Sequence, residues 1–205
     1  MENRTFTMNF TYYDLLSNII VGFFTMMAYL YTFGIDYDED YVVAYIVASY
    51  VIGYVINAIS SLLEDFWNWT IGGKPSERLL TIDSSKKYTG ISKVRFYDAE
   101  EALNKLKEET GNSDVSNGGL FARAMRYSNC NKESRVPTFL AIYAFSRVLL
   151  TSITFVTLFM IVKSYTDWHV YLMLPILIIC WNRFRECSYY YAREVLNEYL
   201  KQTSK

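Results

Sequence analysis

Apolar residues gather in four runs along the chain. Residues 15–33 and 41–63 hold no charged side chain, and 138–162 is interrupted only by Arg147. The fourth run, 168–181, is bracketed by Trp168 and Trp181. A bilayer core about 30 Å thick takes roughly 20 apolar residues in a helix, so the first three runs have the length of a span. The fourth has 14 residues. Interfacial tryptophans at its ends, and Arg183 and Arg185 just beyond, lengthen its reach because long basic side chains snorkel to the headgroups. A bundle with a buried core would instead show apolar stripes on single faces, and the first two runs are apolar all round.

The polar stretch between the second and third runs has a different period. Residues 64–69 (EDFWNW) continue the second helix, Gly72 and Gly73 stop it, and Pro75-Ser76-Glu77 opens a short helix. Residues 83–89 read as loop. Residues 90–97 alternate like a strand, but a lone strand has nothing to pair with, so no strand is expected there. Residues 98–110 form the clearest amphipathic helix: Ala99, Ala102, Leu103 and Leu106 make its stripe, Asp98 and Glu101 resemble a capping box, and Gly111 ends it. A further short helix is expected over 120–127. Pro137 suits the first turn of the third long helix, where its missing donor costs nothing. Residues 182–201 continue the fourth run as a helix, with Tyr189, Arg193, Leu196 and Leu200 sharing one face. The expected fold is therefore all-α and integral to a membrane, with about four transmembrane helices and a small helical cytoplasmic domain. Its segments are a transmembrane hairpin (1–63), a cytoplasmic insert (64–137), a second hairpin (138–181) and a cytoplasmic tail (182–205).

Charge sets the orientation. Residues 34–40 (GIDYDED) carry no Lys or Arg, and 163–167 (KSYTD) carry one; 64–137 carries twelve, and the chain after Trp181 carries five. The positive-inside rule puts the insert and both termini in the cytoplasm, as expected at a bacterial inner membrane. No basic region and cleavage site flank the first run as they would in a secretory signal. The three cysteines, an odd number without metal-ligand spacing, read as reduced thiols. Formal net charge is −1, so the chain as a whole has no bias towards polyanions and any anion site must be local.

Catalytic patterns are sparse. His169 is the one histidine and sits beside Trp168 at the expected outer face, which suits a surface residue better than a base or metal ligand. There is no phosphate-binding G-x-x-x-x-G-K-[ST] loop. Asp36, Asp38, Glu39 and Asp40 read as a solvated loop rather than a cation site, and Asp98, Glu100 and Glu101 as helix-end charges. The expectation is a non-enzyme with no cofactor and no metal.

Two features stand out from this background. The first is polar groups at membrane depth. Arg147 lies nine residues into its run, where it either faces a partner, cavity or pore near mid-membrane, or sits at the cytoplasmic interface if the bilayer begins near Val148. Asn18 and Asn57 are the other such groups, suited to a pore or to gluing helices together. These three are the expected pore or gate residues. The second feature is basic residues interleaved with aromatics. Lys86, Lys87 and Arg95 stand near Tyr88, Phe96 and Tyr97; Arg123 and Arg126 near Tyr127; Tyr190 beside Arg193. Cations meet phosphates and ring faces stack bases, so Lys86, Lys87, Arg95, Arg123, Arg126, Tyr190 and Arg193 form the expected surface for a nucleotide or single-stranded oligonucleotide. Juxtamembrane Arg and Tyr also anchor at headgroups without any ligand.

The opening Phe10-Thr11-Tyr12-Tyr13-Asp14-Leu15-Leu16, leading into a span, and the closing Arg- and Tyr-rich helix from Arg183 through Tyr191 to Val195 resemble small helical membrane effectors of bacterial antiphage operons. Two groups are similar: the HalA-like channels of the Hailong system, and the membrane accessory proteins of type VI CRISPR systems. The R-x-x-x-x-H signature is missing, because no Arg stands five residues before His169, and this counts against the second. The resemblance implies a homo-oligomeric ion channel in membrane lipid that depolarises infected cells. It further implies a nucleotide or oligonucleotide signal made by a soluble nucleotidyltransferase partner. The other expectation is a non-conducting accessory protein that docks a soluble partner at the membrane.

Overall fold

Helix ends fall where the sequence supplies stop signals. The structure is a computed structural model describing residues 5–83, 87–111, 115–130, 134–164, 166 and 168–203, without the side chains of 5–16, 129, 130 and 164. Among these residues the chain is mostly helical: α1 (Thr5–Phe33), α2 (Val42–Leu62), α3 (Glu64–Thr70), α4 (Pro75–Leu79), α5 (Ala99–Thr110), α6 (Asn117–Cys130), α7 (Val136–Ser164) and α8 (Trp168–Thr203). Gly34 takes φ 66° at the end of α1, where its N–H reaches the Tyr31 carbonyl and the Ile35 N–H reaches that of Leu30. This paired closure needs a left-handed residue, which glycine supplies without a Cβ penalty. Gly72, at φ 91°, ends α3 with the same pair of bonds, from Gly72 and Gly73 to Trp69 and Asn68.

The chain divides into two units. One comprises 1–64 and 144–184; the other comprises 65–143 and 185–205. α7 and α8 are each continuous and contribute residues to both.

In the first unit, α1 and α2 are antiparallel and meet backbone to backbone. A Cβ built on Gly22 would lie 1.7 Å from the Ser49 carbonyl oxygen, and one on Gly53 would lie 1.9 Å from that of Asn18. Small residues allow this approach, as in helix pairs embedded in lipid, where packing and not the hydrophobic effect holds helices together. α7 runs alongside α1: the hydroxyls of Thr25 and Ser152 bond at 2.7 Å, and Tyr29 meets Phe159 edge to face. Val156 and Met160 of α7 pack with Val170 of α8. Among the described residues two helices, Glu39–Leu62 and Val136–Lys163, are long and apolar enough to cross a membrane, against the four expected; the apolar stretch Ser17–Phe33 is shorter. Only 17% of the apolar window of the first is buried, against 56% for the second. α7 is thus central to its surroundings, and α2 turns Val43, Val47, Val51, Tyr54 and Val55 outward.

The second unit has a separate core. Leu79 and Leu80 beyond the glycine corner, Ala102, Leu103 and Leu106 of α5, and Leu120 and Ala124 of α6 enclose Tyr189, Ala192, Val195, Leu196 and Tyr199 of α8. The stripe predicted for α5 is the buried one. On α8 the buried stripe is rotated slightly from the expected face, leaving Arg193 half-buried at its margin. In place of the single strand discounted over 90–97 the chain forms a hairpin of two short strands. Thr89–Ile91 (β1) pairs antiparallel with Val94–Phe96 (β2), Thr89 opposite Phe96. A two-stranded ribbon is marginal by itself; here Val94 and Phe96 are buried in the core while Arg95 between them faces out. Asp98 does precede α5, but its side chain makes no capping bond, so the expected capping box is not formed. α3 is a separate short helix, because α2 closes at Leu63.

Candidate functional site

The three residues expected to form a pore or gate lie on one connected set of hydrogen bonds inside the first unit. Asn57 on α2 donates from Nδ2 to Asn18 Oδ1 on α1 at 3.4 Å. One turn on, the Ser61 hydroxyl donates to the Asn57 carbonyl at 3.1 Å and accepts from Arg147 Nη2 of α7 at 3.0 Å. The other guanidinium nitrogen of Arg147 is paired with Glu64 Oε2. Helical spacing explains the alignment: 57, 61 and 64 share one face of the path from α2 into α3. Asn18 and Arg147 are buried, whereas the Glu64 carboxylate is partly exposed. The guanidinium is therefore held at the level where α2 ends, beside a carboxylate that water can reach. Arg147 Nε is buried without a hydrogen-bond partner.

Sequence reasoning missed Ser61 and Glu64. Their signal was present: Glu64 is the first acid after the second run and Arg147 the lone charge within the third. Opposite charges at matching depth on neighbouring helices are the arrangement that apolar surroundings favour.

The expected ligand surface divides into groups in the second unit. At the hairpin, the Arg95 guanidinium lies 5.0 Å from the Tyr88 ring centre, and Tyr88 and Tyr97 are 5.8 Å apart. The neighbouring phenols of Tyr97 and then Tyr88 hold Arg95 above its ordinary pKa. Lys87 is exposed next to Tyr88, and Lys86 lies outside the described residues. On α6, Arg123 pairs with Glu109 at 3.4 Å, and Arg126 is on the exposed side. Tyr190 and Arg193 belong to a third group. Arg193 stacks over Tyr190 at 5.1 Å, Tyr190 faces Phe139 at 6.3 Å, and Arg135 caps Phe139 at 5.4 Å. Two guanidiniums thus bracket two rings. Phe139 and Arg135 were not among the expected residues, since they belong to the start of α7, which reads in sequence as the approach to a span.

His169 is engaged at the other end of the first unit, its Nδ1 2.9 Å from the Tyr31 hydroxyl. Asp38 accepts from the Asp40 N–H as a turn residue, and among the described residues no three metal-ligating side chains cluster. No family model matches the chain, and neither curated proteins nor solved structures include one similar to it.

Proposed function

We propose that this protein is a homo-oligomeric channel of a bacterial inner membrane, gated from the cytoplasm by a nucleotide or single-stranded oligonucleotide, as in the antiphage effectors it resembles. α1, α2, α7 and the start of α8 span the bilayer, and the second unit faces the cytoplasm, where the Lys and Arg are concentrated. The observation that carries the reading is the hydrogen-bonded set Asn18–Asn57–Ser61–Arg147–Glu64. It joins three apolar helices through polar groups, which lipid surroundings tolerate only where the groups satisfy one another or face water. A set with one exposed carboxylate at its end can exchange partners between two arrangements, which is what a gate requires. The uncovered side of α2, with Tyr50 and Tyr54 exposed, offers a second copy a surface that is apolar with two hydroxyls. A ligand on the basic and aromatic groups shifts the channel only as far as it binds one arrangement better than the other.

The test is ion flux from liposomes holding the purified protein, with nucleotides and short oligonucleotides added on the cytoplasmic side. Flux that responds to one of them is expected, with Glu64→Gln and Ser61→Ala altering the response. Folded, inserted protein that conducts under none of these conditions would overturn the reading in favour of a docking protein.

A further inference from the structure

Arg135, Phe139 and Tyr143 follow at four-residue steps, so they share one face at the start of α7. That face meets α8. Tyr143 stacks on Tyr191 at 5.8 Å with the ring planes 8° apart, and one turn earlier Phe139 meets Tyr190 at 6.3 Å and 32°. Arg193, one turn beyond Tyr190, sets its guanidinium over that ring at 5.1 Å, and Arg135 does the same over Phe139 at 5.4 Å. All of these residues belong to the second unit.

A nucleobase cannot enter between Phe139 and Tyr190. It would need a carbon contact of about 3.5–4.0 Å on each side, more than a 6.3 Å separation allows. What stays open is the edge of each guanidinium. Stacking over a ring uses the flat face and leaves the N–H groups pointing outward in the plane, where phosphate oxygens accept them two at a time. Arg135 is exposed, and Arg193 is half-buried with its Nε lacking a hydrogen-bond partner. Neither enters an ion pair among the described residues. Two cations that no carboxylate balances favour a headgroup of net negative charge over one that carries its own cation.

The place of the row along α7 gives the source of the phosphate. Val136–Lys163 has 28 residues, about 42 Å of helix, which matches the roughly 40–45 Å of a bilayer with both headgroup layers included. A helix of that length, when it spans, has its first turn among headgroups, and Arg135 directly precedes that turn. Basic side chains at this level are the ones that hold anionic lipids.

We propose that Arg135 and Arg193, held in place by Phe139 and Tyr190, bind the phosphate-bearing headgroup of an anionic phospholipid where α7 enters the bilayer. The inference rests on the reading of α7 as a span and not on conduction.

The full-length protein is first reconstituted into liposomes and washed with carbonate. Protein that washes off would overturn the span, and this site with it. Protein that is retained is then titrated in an uncharged detergent at fixed ionic strength with short-chain phosphatidylglycerol, short-chain phosphatidylcholine and inorganic phosphate. Affinity is read from the rise of the thermal unfolding midpoint with concentration. Phosphatidylglycerol should act at concentrations at least tenfold lower than either of the others. Arg135→Gln, at an exposed position, and Arg193→Gln should each weaken its binding tenfold or more, while Lys107→Gln, which removes an exposed charge from α5, leaves it unchanged. Where Arg193→Gln fails to fold, Arg193→Lys, which keeps the charge without the planar fork, should weaken binding several-fold. An equal response to inorganic phosphate or to phosphatidylcholine would overturn the anionic lipid as the occupant. No response to phosphatidylglycerol, or equal affinity in Arg135→Gln and the parent, would overturn the site itself while the span stands.

Discussion

Alanine at position 53 should drive α1 and α2 apart. A Cβ there would stand 1.9 Å from the Asn18 carbonyl oxygen and 2.6 Å from its carbon. An ordinary carbon–oxygen contact is about 3.3 Å, so the helices must separate locally by roughly 1.4 Å. Both clashing groups are backbone, and no side-chain rotation relieves them. A gap of about 0.5–1 Å already forfeits a quarter to a half of each dispersion contact across it, and overpacking of this kind costs about 1–3 kcal/mol, occasionally more. The Asn57–Asn18 bond, already 3.4 Å long, breaks as well, adding a loss of about 0.6 kcal/mol. Gly53→Ala should therefore destabilise the protein by about 3 kcal/mol, and Gly22→Ala, whose Cβ would meet the Ser49 oxygen at 1.7 Å, by a similar amount. The assay is reversible unfolding in mixed micelles, with Val47→Ala on the outward side of α2 as the control, expected within about 0.5 kcal/mol of the parent. If both glycine variants unfold with the control, the backbone contact of α1 and α2 is refuted.

The Arg147–Glu64 pair should respond asymmetrically. Arg147 is buried and the Glu64 side chain is 42% exposed, so Glu64→Gln strands a charge that Arg147→Gln does not. Discounted for that exposure, the loss should be about 1–3 kcal/mol, against about 3–5 for a fully buried pair; a larger loss in Arg147→Gln, measured in the same micelles, would contradict the geometry. In the second unit, Leu106→Ala should cost about 2–5 kcal/mol by removing a fully buried side chain. Asp98→Ala should cost under about 0.5 kcal/mol, against the usual loss of about 1 for an N-cap, because its side chain makes no capping bond; chemical unfolding followed by circular dichroism ranks the two. Alkaline pH should weaken this unit. Burial first, then the charge of Glu109, raise the Tyr199 hydroxyl above its ordinary value of 10.0, and burial raises Tyr189 too. A folded-state pKa raised in this way contributes stability that is complete below about pH 10 and is lost as pH climbs, since the unfolded chain releases protons that the folded one retains. Tyrosinate absorbance should then lag behind exposed tyrosines until the helical signal falls, and Tyr199→Phe should lessen the alkaline loss.

Sequence alone reached the local features, because helix propensity, glycine stops and apolar period act over neighbouring residues. The stop at Gly72–Gly73, the α5 stripe from Ala99 to Leu106 and the long helices α7 and α8 were readable for that reason. Contacts between segments distant in sequence were not. β1 and β2 form because Val94 and Phe96 find a core that α8 helps to build, more than ninety residues later in the chain. Gly22 and Gly53 look in sequence like ordinary breaks in an apolar run, and only the opposing backbone shows why a side chain is excluded at either. The partners of Arg147, Glu64 and Ser61, lie 83 and 86 residues earlier in the chain, beyond what a local pattern can show. Tyr190 and Arg193 were visible as neighbours, but Phe139 and Arg135, which complete their row, come from the start of another helix. The run lengths and charge asymmetry were set by composition along the chain. Which polar groups satisfy one another was decided only by packing, since a buried donor takes whatever partner the fold brings within reach.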